Sequence, residues 1–183
     1  MRIITGTLKG RQLSMPETDG VRPTSDRTKE GLFSSLISRK DLRGALVLDL
    51  FAGSGNLGIE AISRGAARVL FVEANHVCVK YIEKICIKFG ITKQCSSLQM
   101  SADAFLARPA SAYDVVFADP PYDLDAMPEM IDIVMDKGWL NKDGWFVLEH
   151  DKRHNFAAHP LCVFTKAYGR TIVSMFTHPK EEV

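Results

Sequence analysis

Asp119-Pro120-Pro121-Tyr122 has the residue types that chemistry on an aromatic amine requires. The lone pair of such an amine is delocalised into its ring, which makes the nitrogen a poor nucleophile. Two acceptors aimed at its hydrogens favour a pyramidal nitrogen and free the lone pair for attack. The Asp119 carboxylate and the Pro120 carbonyl can be those acceptors. Pro120 and Pro121 stiffen the loop, so the acceptors need little reorganisation during reaction. Tyr122 offers a face on which an extruded base can stack.

A second constellation lies earlier, in Asp49-Leu50-Phe51-Ala52-Gly53-Ser54-Gly55-Asn56-Leu57-Gly58. Gly53, Gly55 and Gly58 satisfy G-x-G-x-x-G, a turn that lets a ligand approach the backbone at a helix start. That pattern alone suits NAD and FAD as well as S-adenosylmethionine. Asp49 narrows the choice: a carboxylate here would repel a pyrophosphate but suits the ammonium of a methionine moiety. Phe51, Ala52, Gly53 and Gly55 are therefore candidate contacts of a ligand zwitterionic at this end. Glu73 is placed to accept from the hydroxyls of an adenosine ribose. Asp103, followed by Ala104, can accept from the adenine amino group and is equally placed to cap the helix it opens.

These residues need elements to hold them, and the apolar pattern supplies an alternation of strand and helix. Strands are expected at Ala45–Leu50, Arg68–Glu73, Ser96–Met100, Tyr113–Ala118 and Trp145–Glu149. The helices between them carry Leu57 to Ile62, Val77–Phe89, Ala102–Ala107 and Pro128–Lys137. Asp49, Glu73, Asp103 and Asp119 then stand at or after successive strand ends, along the edge where ligands bind in such sheets. Leu161–Lys166 and Thr171–Thr177 read as a closing hairpin, and Arg2–Thr5 with Arg11–Leu13 as a small opening one. Between the opening hairpin and this alternation, Met15–Val21 is a loop, and Ser25 or Asp26 caps a helix through Phe33, Leu36 and Ile37. The expected architecture is α/β: an open, mostly parallel sheet of these seven strands, with antiparallel pairing confined to its end, and an N-terminal hairpin extension.

Composition bounds the class. A chain of 183 residues, 46% hydrophobic and 25% charged, is an ordinary globular protein. No apolar run approaches the roughly 20 residues of a membrane span, and the first residues do not begin a signal peptide, so the expected location is cytoplasmic. The four cysteines lack metal or disulfide spacing, and no metal is expected. Residues 1–43 hold nine Lys/Arg against five Asp/Glu, which leaves the remainder mildly acidic. Such a basic end is consistent with a phosphate-binding surface and equally with an ordinary solvated one.

Together the motifs resemble the class I methyltransferases that modify amino groups, whose motif is [DN]-P-P-[YF]. More closely the chain resembles the RsmD family of bacterial small-subunit ribosomal RNA guanine-N2 methyltransferases. The likeness runs through Met1 to Gly6, Lys9-Gly10-Arg11, Arg22 to Arg27, Glu30 to Phe33, Asp49 to Gly58, Ser63 to Ala66, Asp119 to Tyr122 and Tyr168-Gly169. Lys29, Asn56, Ile59 and Arg170 depart from the family pattern, which has arginine, alanine, leucine and an acidic residue there.

The resemblance implies a Rossmann-like class I methyltransferase fold, a seven-stranded, mostly parallel sheet with one antiparallel strand, with residues 1–43 as an RNA-facing extension over the cofactor site and 44–183 as the methyltransferase domain. It implies S-adenosylmethionine as cofactor, with Arg22 and Thr24 near its methionine end. It implies Asp119, Pro120, Pro121 and Tyr122 as the catalytic motif, and 16S ribosomal RNA in an assembling small subunit as the partner of a monomer. Arg2, Lys9, Arg11 and Arg27 are the RNA contacts expected of the extension. The alternatives are a DNA adenine-N6 methyltransferase, which uses the same four-residue motif, an NAD-dependent oxidoreductase and a non-catalytic RNA-binding module.

Overall fold

The fold is seen in a computed structural model that describes residues 1–14 and 25–179. Short runs of β-branched and large apolar residues form the strands, apart from the polar edge strand β3: β1 (Leu46–Leu50), β2 (Arg68–Glu73), β3 (Cys95–Gln99), β4 (Tyr113–Ala118), β5 (Leu140–His150), β6 (Cys162–Tyr168) and β7 (Thr171–Phe176). They make one sheet in the order β3-β2-β1-β4-β5-β7-β6, in which β7 alone runs against its neighbours. This is the seven-stranded arrangement the sequence predicts.

Helices α1 (Asp26–Ile37), α2 (Asn56–Ser63) and α3 (His76–Phe89) cover one face of the sheet, and α4 (Ala102–Leu106) and α5 (Met127–Asp136) cover the other. Strand alternation divides the core accordingly: Val47, Val115, Phe117 and Val147 point to the first face and Leu48, Val116, Phe146 and Leu148 to the second. Local signals set the helix ends. The Ser25 hydroxyl caps α1 by accepting from Thr28 N–H at 3.0 Å, Asn75 caps α3, and Gly90 closes α3 at φ 70°.

Two expectations change. Strand β5 begins at Leu140 rather than Trp145, because Leu140 pairs with Tyr113 across a bulge before Val115 meets Trp145. The polar Asn141-Lys142-Asp143-Gly144 stretch conceals that start in the sequence. The opening hairpin shrinks to a single antiparallel bridge, Arg2 with Gln12. The amides that would extend the ladder are taken by α2: Ile4 and Thr5 N–H donate to the Glu60 carboxylate at 2.8 and 3.1 Å. Thr7 N–H donates to the Ser63 carbonyl and Leu8 N–H to the Ser63 hydroxyl. Gly6, at φ 89°, lies so close to α2 that a Cβ there would overlap the Ser63 carbonyl. Residues 1–14 therefore pack down on the first face, where Ile3, Leu8 and Leu13 join the cluster built by α1, α2 and the sheet.

Candidate active site

The turn after β1 is held by three left-handed residues, Phe51 at φ 56°, Gly53 at 53° and Gly55 at 74°. Phe51 is the one non-glycine residue with positive φ among the described residues, a conformation that costs on the order of 1–3 kcal/mol. Gly58 has a different role. A Cβ there would press on Phe71, Val69 and the Asp49 carboxylate, so this glycine lets α2 lie close against the sheet. Its amide donates to Asp49 Oδ2 at 2.9 Å. Asp49 is 2% exposed, and burial pushes its carboxyl well above the usual carboxylate range against the lowering effect of that amide.

Glu73, at the end of β2, accepts from Gly53 N–H at 2.8 Å and from Asn75 N–H at 2.7 Å. It thus clamps the glycine turn to the β2–α3 turn while remaining half exposed. Asp103 and Ala104 are exposed beyond β3. Ser101, not Asp103, occupies the cap position of α4, and the Ser101 hydroxyl holds the Asp103 carboxyl below its ordinary range. Of the two roles open to Asp103, the cap position belongs to its neighbour.

Asp119 follows β4 directly, half-buried, between buried Ala118 and buried Pro120; Pro121 is exposed. The Pro121 carbonyl accepts from Leu124 N–H at 3.0 Å, closing a turn. The Tyr122 hydroxyl pairs with the Thr171 hydroxyl at 2.8 Å, so the first residue of β7 fixes the aromatic ring. Thr171 carries no motif, and only the return of β7 beside β5 brings it here. Glu149, 1% exposed near the end of β5, is a second residue at this edge that the sequence reading missed. It stood in an apolar run without a motif to mark it.

The structure divides the four basic residues. Arg2 and Lys9 line a groove of about 310 Å³ that also includes Asp26 and Glu30, and Arg2 pairs with Asp26 at 3.3 Å. Arg27 lines a neighbouring groove of about 570 Å³ between α1 and the β6–β7 turn, together with Lys166 and Tyr168. Tyr168 lies so close over α1 that a Cβ on Gly31 would overlap its ring. Arg11 is apart from these grooves, with its guanidinium over the Phe89 ring at 5.0 Å. Arg22 and Thr24 lie outside the described residues.

Residues 1–177 match the protein family described as Conserved hypothetical protein 95. The chain belongs to that family. The chain is 35% identical to Ribosomal RNA small subunit methyltransferase D of Escherichia coli K12, over 87% of this chain and 79% of that protein. It is 36% identical to the protein of the same name from Haemophilus influenzae, over 83% and 79%. The solved structure of the Escherichia coli protein yhhF superposes with a TM-score of 0.83 at 31% identity, covering 96% of each chain. Like these family members, the protein is a methyltransferase with the class I Rossmann-like fold, and its cofactor is S-adenosylmethionine.

The residues present fit that cofactor. The turn between β1 and α2 leaves Phe51 and Gly53 partly exposed, Asp49 and Glu73 place carboxyl groups on its two sides, and Gly58 keeps the Asp49 carboxylate clear of side-chain bulk. Among the described residues no helix is long and apolar enough to cross a membrane.

Proposed function

We propose that this protein transfers the methyl group of S-adenosylmethionine to the exocyclic N2 of a guanine in 16S ribosomal RNA of the small subunit, acting as a cytoplasmic monomer on an assembling particle. The observation that carries the reading is the placement of Asp119 at the carboxyl end of β4, next to the glycine turn of β1, with Tyr122 anchored by Thr171. The names of the Escherichia coli and Haemophilus influenzae relatives agree with it.

Asp49, Phe51, Ala52, Gly53, Gly55, Glu73, Asp103 and Ala104 would hold the cofactor, with Asp49 toward the methionine ammonium and Glu73 toward the ribose. Arg22 and Thr24 belong to this set by family resemblance. The bound cofactor supplies an electrophilic methyl on a sulfonium. Tyr122 stacks on the base, and the Asp119 carboxylate and Pro120 carbonyl accept from its two amine hydrogens. The turn closed by Pro121 and Leu124 leaves the Pro120 carbonyl as the backbone acceptor of the motif. Most of the acceleration comes from holding the two reactants in line, and the amine proton passes to Asp119 or water. Arg2, Lys9 and Arg27, with Arg11 beyond them, form the surface that meets RNA phosphates.

The test is transfer of labelled methyl to small subunits from cells lacking this protein, followed by nucleoside analysis. Label in N2-methylguanosine of the 16S RNA is expected. Label only in N6-methyladenine of DNA offered in parallel would keep the chemistry and overturn the substrate.

A further inference from the structure

Among the described residues, one buried carboxyl oxygen lacks any hydrogen-bond partner: Oε1 of Glu149. The side chain is 1% exposed, and Val147, two positions earlier on β5, points to the α1–α2 face of the sheet, so Glu149 points there too. Asp49 shares that face, two positions after Val47 on β1. Leu148 pairs with Ala118 and Leu50 pairs with Ala118 from the other side, which sets the ends of β5, β4 and β1 side by side. Asp49, Asp119 and Glu149 thus converge from three adjacent strands on the edge where the cofactor binds. An orphaned carboxyl oxygen costs a folded protein on the order of 1–3 kcal/mol, and a ligand that satisfies it explains its retention.

We propose that Glu149 is the counter-charge by which this enzyme tells the sulfonium of S-adenosylmethionine from the thioether of the demethylated product. The proposal rests on the cofactor and is independent of which nucleic acid is modified.

In the free protein, burial first, then Asp119 and Asp49, push the Glu149 carboxyl well above the usual carboxylate range, which favours its protonated form. No described element offers it a cation: β7 opposes it with Val173, and Lys29 in the α1 layer is committed to Glu60. A bound sulfonium favours the carboxylate, so the O–H bond of Glu149 breaks on binding and its proton leaves to solvent. Transfer of the methyl removes the charge on sulfur. The carboxylate then takes a proton back from solvent, and the neutral sulfur is held less tightly than the cation was. At a site this dry the difference is not screened as it would be on the surface.

The sign of the pH dependence follows. A proton released on binding makes affinity for S-adenosylmethionine rise with pH, through the range between the Glu149 pKa in the bound and in the free protein. Affinity for the product lacks that rise.

Calorimetric titration of the whole protein with each ligand, in buffers of different ionisation enthalpy, reads the proton directly. The wild type is expected to release more proton with S-adenosylmethionine than with S-adenosylhomocysteine, and its preference for the former is expected to rise with pH. Glu149→Gln should remove the extra release and shrink the preference by about tenfold, the effect of one pKa unit. Equal release for the two ligands in the wild type overturns the proposal without reference to any variant. So does a Glu149→Gln protein that keeps both the release and the preference, or loss of the release in Asp119→Asn but not in Glu149→Gln.

Discussion

Helices α1 and α2 bury a cation as deeply as the strand ends bury two carboxyls, and the two places treat charge in opposite ways. Lys29 is fully buried, and its ammonium donates to the Arg2 carbonyl at 2.6 Å and Asn56 Oδ1 at 2.8 Å, with Glu60 Oε2 at 3.2 Å. Those three partners use its three N–H groups. Glu60, also fully buried, accepts from Ile4 N–H, Thr5 N–H and Arg64 Nε. Burial lowers the Lys29 pKa, and Glu60 opposes the shift. At the sheet edge, by contrast, Asp49 has one amide and Glu149 Oε1 has nothing. The first set ties the N-terminal segment to the core by pairing both charges it buries, with Asn56 Nδ2 the one atom of the set left without a partner. The second sets carboxyl groups together and leaves Glu149 Oε1 without a partner, which a fold tolerates where a ligand completes the set.

The contrast can be broken from either side. Asp119→Ala should lower turnover by about 10³-fold, the scale of losing a preorganised polar contact at a reacting centre, with cofactor affinity changed less than about threefold. Single-turnover methyl transfer and calorimetry check the two halves, and near-normal turnover would remove Asp119 from the reaction.

Glu60→Ala should destabilise the fold by about 3–5 kcal/mol, because it leaves Lys29 buried without its counter-charge. Urea unfolding measures the loss. Faster proteolysis within residues 1–14 should accompany it, since Ile4 and Thr5 lose their acceptor.

The edge set should behave in the opposite sense. The raised Glu149 pKa means that its contribution to stability is fully present below the ordinary carboxylate pKa of about 4.3. It is lost as pH rises through the folded-state value. Glu149→Gln lacks that loss, so thermal unfolding of the free protein should show a gain of about 1–2 kcal/mol at pH 8 that fades toward pH 4. A variant less stable than wild type at pH 8 would mean that Glu149 is satisfied after all.

The smallest effect sharpens the comparison within the paired set. Lys29 and Asn56, two of the residues that depart from the pattern the resemblance implies, are hydrogen-bonded to each other, and are expected to act as one compensated change. Lys29→Arg and Asn56→Ala should each destabilise alone and offset one another when combined, with a coupling of about 1 kcal/mol in a double-mutant cycle. Additive losses would show two unrelated departures.

Much of the site was legible because its chemistry is local in the chain. Asp49, Gly53, Gly55 and Gly58 lie on one turn, Asp119 to Tyr122 lie on another, and strand periodicity placed both turns at the same edge. The cap of α1 at Ser25 and the stop of α3 at Gly90 were equally local, since a side chain meets the amides two or three residues on. The start of β5 was hidden because Asn141 to Gly144 are polar while their pairing comes from Tyr113 across the bulge. The opening hairpin was overread because its amides found a better acceptor in Glu60, 55 residues or more away in sequence.

By itself the sequence determined the order of strands and helices, the glycine turn, the reactive motif and the kind of reaction, because each depends on residues within a few positions of one another. Only the tertiary structure decided which charges are paired. It joined Lys29 to Glu60, brought Thr171 to Tyr122, and set Glu149 beside Asp119 and Asp49 with its Oε1 unpartnered. Burial and long-range pairing fix the state of a charge, and neither is written in the residues next to it.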